Sequence, residues 1–315
     1  MGHIAKAHLR GVALTCAALA CAAIGCAVLA GCAAVTASVT PSPLVTPQPV
    51  ALAILPAPSP AASPSASPEP VGAPNIAPSP IPTRPAWLGT RVLAVDKAGF
   101  GAAQPTPPEL VNRALPPRPW FVDPPTQEWR ATIAAVPDYV LARSTWRPGC
   151  PVDSSGLAYV VMTYWGFDSE THLGELLINA SVAQDIVDVF HKLYDARFPI
   201  EELHITSMDE MNAPPTGDGN WTDAFTCRPV VTTTTGWSMH AYGLALDLNP
   251  FQNPYKKGSL VIPELSTSYL DRSNDRPGMV HHGDLVWQAF HDIGWGWGGD
   301  WSSLKDYTHF SSNGK

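Results

Sequence analysis

Proline decides how much of this chain can fold into anything regular. Of 315 residues 34 are proline, and many crowd between about Ala33 and Pro85, where Ala, Ser, Thr and Val fill the gaps. Glu69 is the one charge in that stretch before Arg84. Proline fixes φ and lacks the N–H that helices and β-ladders require. A segment so poor in large apolar side chains buries too little surface to offset its ordering entropy. The composition predicts an extended, semi-rigid spacer that advances roughly 3 Å per residue where it is polyproline-like, with a reach on the order of 100 Å. Residues 86–125 stay proline-rich but add Trp87, Leu88, Trp120 and Phe121, so part of this region is expected to lie along a folded domain. Composition sets the mostly disordered spacer at 32–125 and the domain at 126–315. No internal repeat of regular period is present.

From Thr126 onward about 190 residues have ordinary globular composition, enough for one sizeable core. Leu157–Tyr164 and Gly174–Ala180 read as strands, and Ile200–Ile205 as a weakly alternating edge strand. Ala180–Arg197 reads as a helix with Val182, Ile186, Phe190 and Leu193 on one stripe, Ser181 as its cap and Pro199 beyond its end. Gly283–Ile293 reads as a second helix, capped by Asp284, with Leu285, Ala289, Phe290 and Ile293 inward. Mixed helices and short strands predict a single α+β domain with a small antiparallel sheet.

The first 31 residues have the form of a secretory signal. Lys6 and Arg10 precede an apolar run from Gly11 to Ala30, and small residues close it. The ending Leu29-Ala30-Gly31-Cys32 resembles a bacterial lipoprotein cleavage site, which would make Cys32 the lipidated first residue of the mature chain. The run is also about long enough to span a bilayer, so an uncleaved signal anchor stands beside that reading. Either would tether the protein to the outer face of a membrane, with the domain reaching into the cell wall. Several acyl chains on Cys32 would hold firmly where one chain would not. Cys16, Cys21 and Cys26 would leave with a cleaved signal, and the remaining pair, Cys150 and Cys227, is expected to form a disulfide in an exported domain. Zinc ligation by these two is less favoured, because neither sits in a Cys-x-x-Cys pair.

Chemistry concentrates in Ser238-Met239-His240-Ala241-Tyr242-Gly243-Leu244-Ala245-Leu246-Asp247. Leu244, Leu246 and Leu248 alternate with Ala245, Asp247 and Asn249, the period of a half-buried strand, so Asp247 faces away from the leucines. His240 lies on the turn that feeds the strand, and Gly243 permits a sharp bend there. Farther on, Asp306-Tyr307-Thr308-His309-Phe310 supplies a second imidazole. Two His and one Asp suffice for a catalytic zinc that keeps one position for water. A second carboxylate must then carry the proton, and Asp306 is the candidate. A straight strand would put residues 306 and 309 on opposite faces, so this role demands a bend between them.

Ser-x-His-x-x-Gly-x-Ala-x-Asp followed by Asp-x-x-His-Phe resembles the M15-type zinc peptidases, the D-alanyl-D-alanine carboxypeptidases and L-alanyl-D-glutamate endopeptidases that act on peptidoglycan. The similarity runs upstream through Trp146-Arg147-Pro148-Gly149-Cys150-Pro151, Tyr164-Trp165-Gly166-Phe167-Asp168 and Phe225-Thr226-Cys227-Arg228-Pro229, covering roughly residues 140–311. It implies zinc ligands His240, Asp247 and His309, with Asp306 as the catalytic carboxylate. The carboxypeptidase branch usually has Glu where this chain has Asp306, a feature nearer the endopeptidase branch. The upstream Cys-Arg-Pro and Trp-Gly-Phe-Asp segments resemble the carboxypeptidases, which is the favoured reading. A zinc-stabilised binding domain without turnover, like the hedgehog signalling domain on a similar scaffold, is the rival class. Retention of Asp306 and an arginine favours the enzyme.

Arg228, beside Cys227, is expected to bind a substrate carboxylate or stabilise an oxyanion. Arg147 is a weaker second candidate. Ser238 is expected to bind substrate or to orient His240. Trp297 is expected to line the substrate groove, with local core as the alternative. His281 and His282 read as surface, and His204 and His291 carry no signal. A net charge of −8 offers no basic footprint for nucleic acid. The expected partners are stem peptides and, through the lipid, a membrane; a monomer is expected.

Overall fold

The computed structural model describes residues 82–124, 126–231 and 236–315. The expected signal, Cys32 and the spacer up to residue 81 lie outside the described residues. The first sheet is β1 (Ala131–Ala135), β2 (Leu157–Trp165) and β3 (Thr171–Asn179), antiparallel in that order. β2 is an almost unbroken apolar run, and the fold buries both of its faces. α1 (Asp138–Arg143) joins β1 to β2 through a loop. Against β2 lies α2 (Ala183–Asp195), whose Ile186, Val189, Phe190 and Leu193 enter the core. Its start differs from expectation. Ser181 does not cap it, because Asn179 Oδ1 accepts from both the Ser181 amide (3.1 Å) and its hydroxyl (2.7 Å). That local turn competes with the helix and delays it to Ala183.

The short α3 (Met208–Asn212) is closed by a capping box between Ser207 and Glu210. Two small antiparallel sheets follow from the rest of the chain. One runs β4 (Ala245–Asp247), β9 (His309–Ser311), β7 (Gly296–Trp297); the other runs β6 (Leu260–Ile262), β5 (Tyr255–Lys257), β8 (Lys305–Asp306). α4 (Leu285–Asp292) is capped by Asp284, which accepts from the Trp287 amide at 2.7 Å. Leu285 is exposed, however, and Val286 takes its place inward with Ala289 and Phe290. The helical phase that buries 286, 289 and 290 turns 285 outward. Phe290 stacks on Phe310 of β9 at 3.9 Å, which joins α4 to the ligand-bearing sheet.

Residues 200–205 form no edge strand. The segment bends at Glu201 and makes an isolated bridge, Leu203 to Thr222. Ile200, Leu203 and Ile205 are buried, and so are Glu201 and Glu202. These carboxylates explain where the domain begins. Arg113 forks onto Glu201 (2.7 and 2.8 Å), Arg118 onto Glu202 (2.8 and 2.7 Å), and Arg84 reaches both. Trp87 and Leu88 pack on a cluster formed by Leu110, Leu115, Phe251, Leu265, Tyr269 and Met279. Residues 82–124, assigned to the spacer on composition, thus lie along the domain, and the folded part starts well before 126. Proline enrichment is compatible with this arm because its binding relies on arginine forks more than on backbone ladders.

Candidate metal centre

Ser238 opens a 3-10 turn, Met239–Tyr242, and its hydroxyl accepts from the His240 amide. Gly243 closes the turn at φ +65°. A Cβ there would stand 2.6 Å from the Asn179 amide nitrogen, so the close approach to β3 needs glycine. Asn179 fixes the turn from the other side: its amide donates to Gly243 O (2.8 Å) and its side chain to Tyr242 O (2.9 Å). His240 is thereby held in the interior, 1% exposed. Ser238 is thus a cap for the turn that carries a ligand.

β4 keeps part of the predicted alternation: Leu244 precedes the strand and is half-buried, and Ala245 and Asn249 are buried on the other face. Leu246 and Leu248 are buried in the core, and Asp247 points the other way. Strand pairing sets Asp247 directly opposite His309 on β9. Three ligand atoms converge. His240 Nε2 lies 3.1 Å from His309 Nδ1 and 3.3 Å from Asp247 Oδ2, and His309 Nδ1 lies 3.2 Å from Asp247 Oδ1. Among the described residues this is the one His/Cys/Asp/Glu group close enough to share an ion. Tetrahedral zinc with bonds of roughly 2.0–2.2 Å sets its ligand atoms on the order of 3.3 Å apart.

The donor chemistry fits as well. His240 Nδ1–H donates to the Ala224 carbonyl at 2.6 Å, so its Nε2 lone pair is the one aimed at the centre. Positive charge is favoured there. Burial works against the charged form of His240, yet Asp247 holds its imidazolium above the usual value. Burial likewise works to raise Asp247, but the charge and hydrogen bonds of His240 and His309 hold its carboxyl well below the ordinary range.

Asp306 ends β8, in the sheet next to that of His309. The bend demanded between them is present: Tyr307 and Thr308 leave the strand, and Thr308 Oγ1 donates to Leu248 O at 3.0 Å. Gly298 lets the backbone pass close by, since a Cβ there would meet Asp306 O at 2.5 Å. Asp306 Oδ1 is shut off from solvent and has no hydrogen-bond partner. Burial, with Asp247 adding to it, pushes the Asp306 carboxyl up to about 7 against the opposing charges of His309, His240 and Arg228. This is a carboxyl poised to exchange a proton near neutrality.

Arg228 is half-buried, and its charge is felt at both His240 and Asp306. The Cys150–Cys227 disulfide is formed, with Cα atoms 5.9 Å apart. It anchors the residue preceding Arg228. Arg147, by contrast, is exposed and directs its guanidinium at Thr145 O and Met208 Sδ. Trp297 does not line a groove: it is 6% exposed, donates to Tyr307 O at 2.8 Å and packs against Phe310. Its β7 position puts the ring into the core.

Asp223 is a neighbour that the sequence did not reveal. It is buried, accepts from Thr206 (3.0 Å) and Thr226 (2.8 Å), and is pushed up by burial despite the nearby His240. Its backbone bridges to Asp247 on the side away from β9, holding β4 from both edges. Its one sequence signal is a Thr-Asp-x-x-Thr run just before Cys227; the pairing with Asp247 is too distant along the chain to read.

Residues 232–312 match the family model described as D-alanyl-D-alanine carboxypeptidase. The match spans His240, Asp247, Asp306 and His309, while Arg228 and both cysteines lie upstream of it. No match to the chain was found among the curated proteins or among the solved structures. Residues 232–312, which hold every candidate ligand, are thus similar to the M15 peptidases, a family of zinc peptidases.

Proposed function

We propose that this chain is a zinc-dependent peptidase that cuts the peptide stems of bacterial peptidoglycan, acting as a D-alanyl-D-alanine carboxypeptidase. The observation that carries the reading is the buried, unpartnered Oδ1 of Asp306 beside three converging candidate ligands. A structural zinc site needs only the ligands; a proton carrier beside it is what turnover requires. His240, Asp247 and His309 would hold zinc, which when bound would lower the pKa of water and polarise the scissile carbonyl. Asp306 takes a proton from the attacking water and returns it to the leaving amine. Arg228, tethered through Cys227, binds the terminal carboxylate of the stem, the group that distinguishes a carboxypeptidase substrate. The signal-like start and Cys32 support an exported lipoprotein on the outer face of the membrane, with its domain carried into the wall.

Digestion of purified muropeptides with wild type and Asp306→Ala, read by mass spectrometry, tests this. Loss of a single terminal Ala with wild type alone is the expected result. Cleavage after L-Ala would assign the endopeptidase activity that Asp306, in place of Glu, favours. Intact muropeptides with both proteins, zinc still bound, would replace the enzyme with a binding domain.

A further inference from the structure

His309 reaches the centre through Nδ1, so its other nitrogen faces away from the ligand set. That nitrogen, Nε2, lies 3.4 Å from the main-chain oxygen of Lys315. The oxygen is held in place. After β9 the chain curls into a five-residue hook, residues 311–315. Ser311 Oγ lies 3.0 Å from Lys315 O, and the Lys315 amide donates to Asn313 Oδ1 at 3.0 Å. Trp301 Nε1 donates to Gly314 O at 2.7 Å, and its ring stands 5.6 Å from that of His309. Gly296 of β7 lies against the same turn: a Cβ there would come within 2.6 Å of Gly314 Cα.

We infer that this hook positions a metal ligand: Lys315 O accepts the Nε2 proton of His309, which fixes the tautomer that leaves Nδ1 for zinc and sets the angle of the ring. The inference rests on the metal reading of His240, Asp247 and His309. It mirrors what Ala224 O does for His240, 2.6 Å from Nδ1. A main-chain acceptor on the outer nitrogen raises the basicity of a ligating imidazole, and losing such a partner weakens metal binding about 10–100-fold. Nothing in the Asp306-Tyr307-Thr308-His309 motif carries this. The positioning groups follow the motif or, like Trp301, precede it.

Zinc affinity by chelator competition on the full chain is the first measurement. Trp301→Phe removes the N–H that holds Gly314 but keeps an aromatic ring, and a chain that stops after Ser312 removes the acceptor. Both should bind zinc about 10–100-fold more weakly than wild type. Lys315→Ala keeps the main-chain oxygen and should bind as wild type does. The second measurement is the ring ¹⁵N spectrum of the zinc-loaded protein. Wild type and Lys315→Ala should show a slowly exchanging proton on His309 Nε2, and the two hook variants should lose it. Unchanged affinity and an unchanged Nε2 proton in both hook variants would overturn the inference while leaving the metal reading intact. Failure of wild type itself to bind zinc would overturn both. Equal weakening in Lys315→Ala would assign the effect to the lysine side chain and reject the main-chain acceptor.

Discussion

Two groups of buried carboxylates lie in this domain, and they are treated in opposite ways. Beneath the arm of residues 82–124, Glu201 accepts from Arg113 twice, from Arg84 and from Asn220, and Glu202 accepts from Arg118 twice and from Arg84. Every charge there is met by a forked cation, with bond lengths of 2.7 to 3.2 Å. At the candidate metal centre, Asp223, Asp247 and Asp306 gather around two imidazoles with Arg228 at the margin, and Asp306 Oδ1 has no partner. Complete pairing makes a clamp. Incomplete pairing stores an electrostatic demand that a cation, a substrate or a proton can satisfy. The same chemical group, a carboxylate, serves as glue in one place and, on the proposed function, as a reagent in the other.

The largest expected effect separates these roles. Asp306→Asn should lower peptidase turnover about 10²–10⁴-fold, the range for losing a positioned acid–base group, with zinc affinity within a few-fold of wild type. Thermal unfolding should show no loss of stability, because the substitution removes a buried carboxyl that nothing satisfies. A large stability loss would mean that Asp306 belongs to the glue. Arg113→Met should behave in the opposite sense. Its side chain is 2% exposed and Glu201 is fully buried, so truncation leaves that carboxylate with only Arg84 and Asn220 and should cost up to about 3–5 kcal/mol in urea unfolding. Turnover per folded molecule should be retained. If Arg113→Met unfolds no more easily than wild type, the arm is an ornament and the domain begins near 126 after all. The disulfide comes next: Cys150→Ala with Cys227→Ala opens a link across 77 residues and should cost roughly 4 kcal/mol on the chain-entropy account. Here the KM for carboxylate-ended stems should also rise, since the same bond anchors the residue before Arg228.

The comparison also explains what could be read without coordinates. The candidate ligand set was legible because each of its residues advertises itself locally: His240 before a glycine turn, Asp247 on a two-residue alternation, His309 beside an aromatic in a short motif. The clamp was not. Arg84, Arg113 and Arg118 sit in proline-rich sequence, and the glutamates they meet are 84 to 118 residues away. Composition therefore placed the arm in the spacer and read residues 200–205 as an edge strand, although pairing is what lets Glu201 and Glu202 be buried. Trp297 misled for a related reason. A tryptophan among glycines marks close packing as readily as a sugar-stacking surface, and only the β7–β9 register turns its ring onto Phe310. Asp223 stayed hidden because a single backbone bridge, not a motif, brings it to Asp247.

The smallest and sharpest test uses pH, because the two groups should respond with opposite signs. On the clamp side, Glu210 bonds His204, which lies under Trp120 of the arm. Burial works to raise Glu210, but the hydrogen bond and charge of His204 with the Ser207 bonds bring it from 4.5 down to about 2. A depressed carboxyl contributes stability above its unfolded value, so this part is lost as pH falls from about 4.5 through about 2. At the centre of the metal-free protein, Asp306 is raised from 3.8 to about 7. The folded state then holds a proton that the unfolded chain has released. Its contribution is complete below about 3.8 and is lost as pH climbs through about 7. One such group sets a slope of at most about 1.4 kcal/mol per pH unit. His240, also raised, adds a loss of the same sign that begins near 6.5. Urea unfolding of metal-free protein should therefore show stability declining between pH 4 and 6.5. Asp306→Asn should make that decline shallower, leaving the part that Asp223, also raised by burial, contributes, and Glu210→Gln should leave it unchanged while reducing the acid limb, to which Asp247 also contributes. If Asp306→Asn leaves the decline between pH 4 and 6.5 intact, the carboxyl titrates normally and cannot be the proton carrier; the contrast between a satisfied clamp and a demanding centre would then fail at its one testable atom.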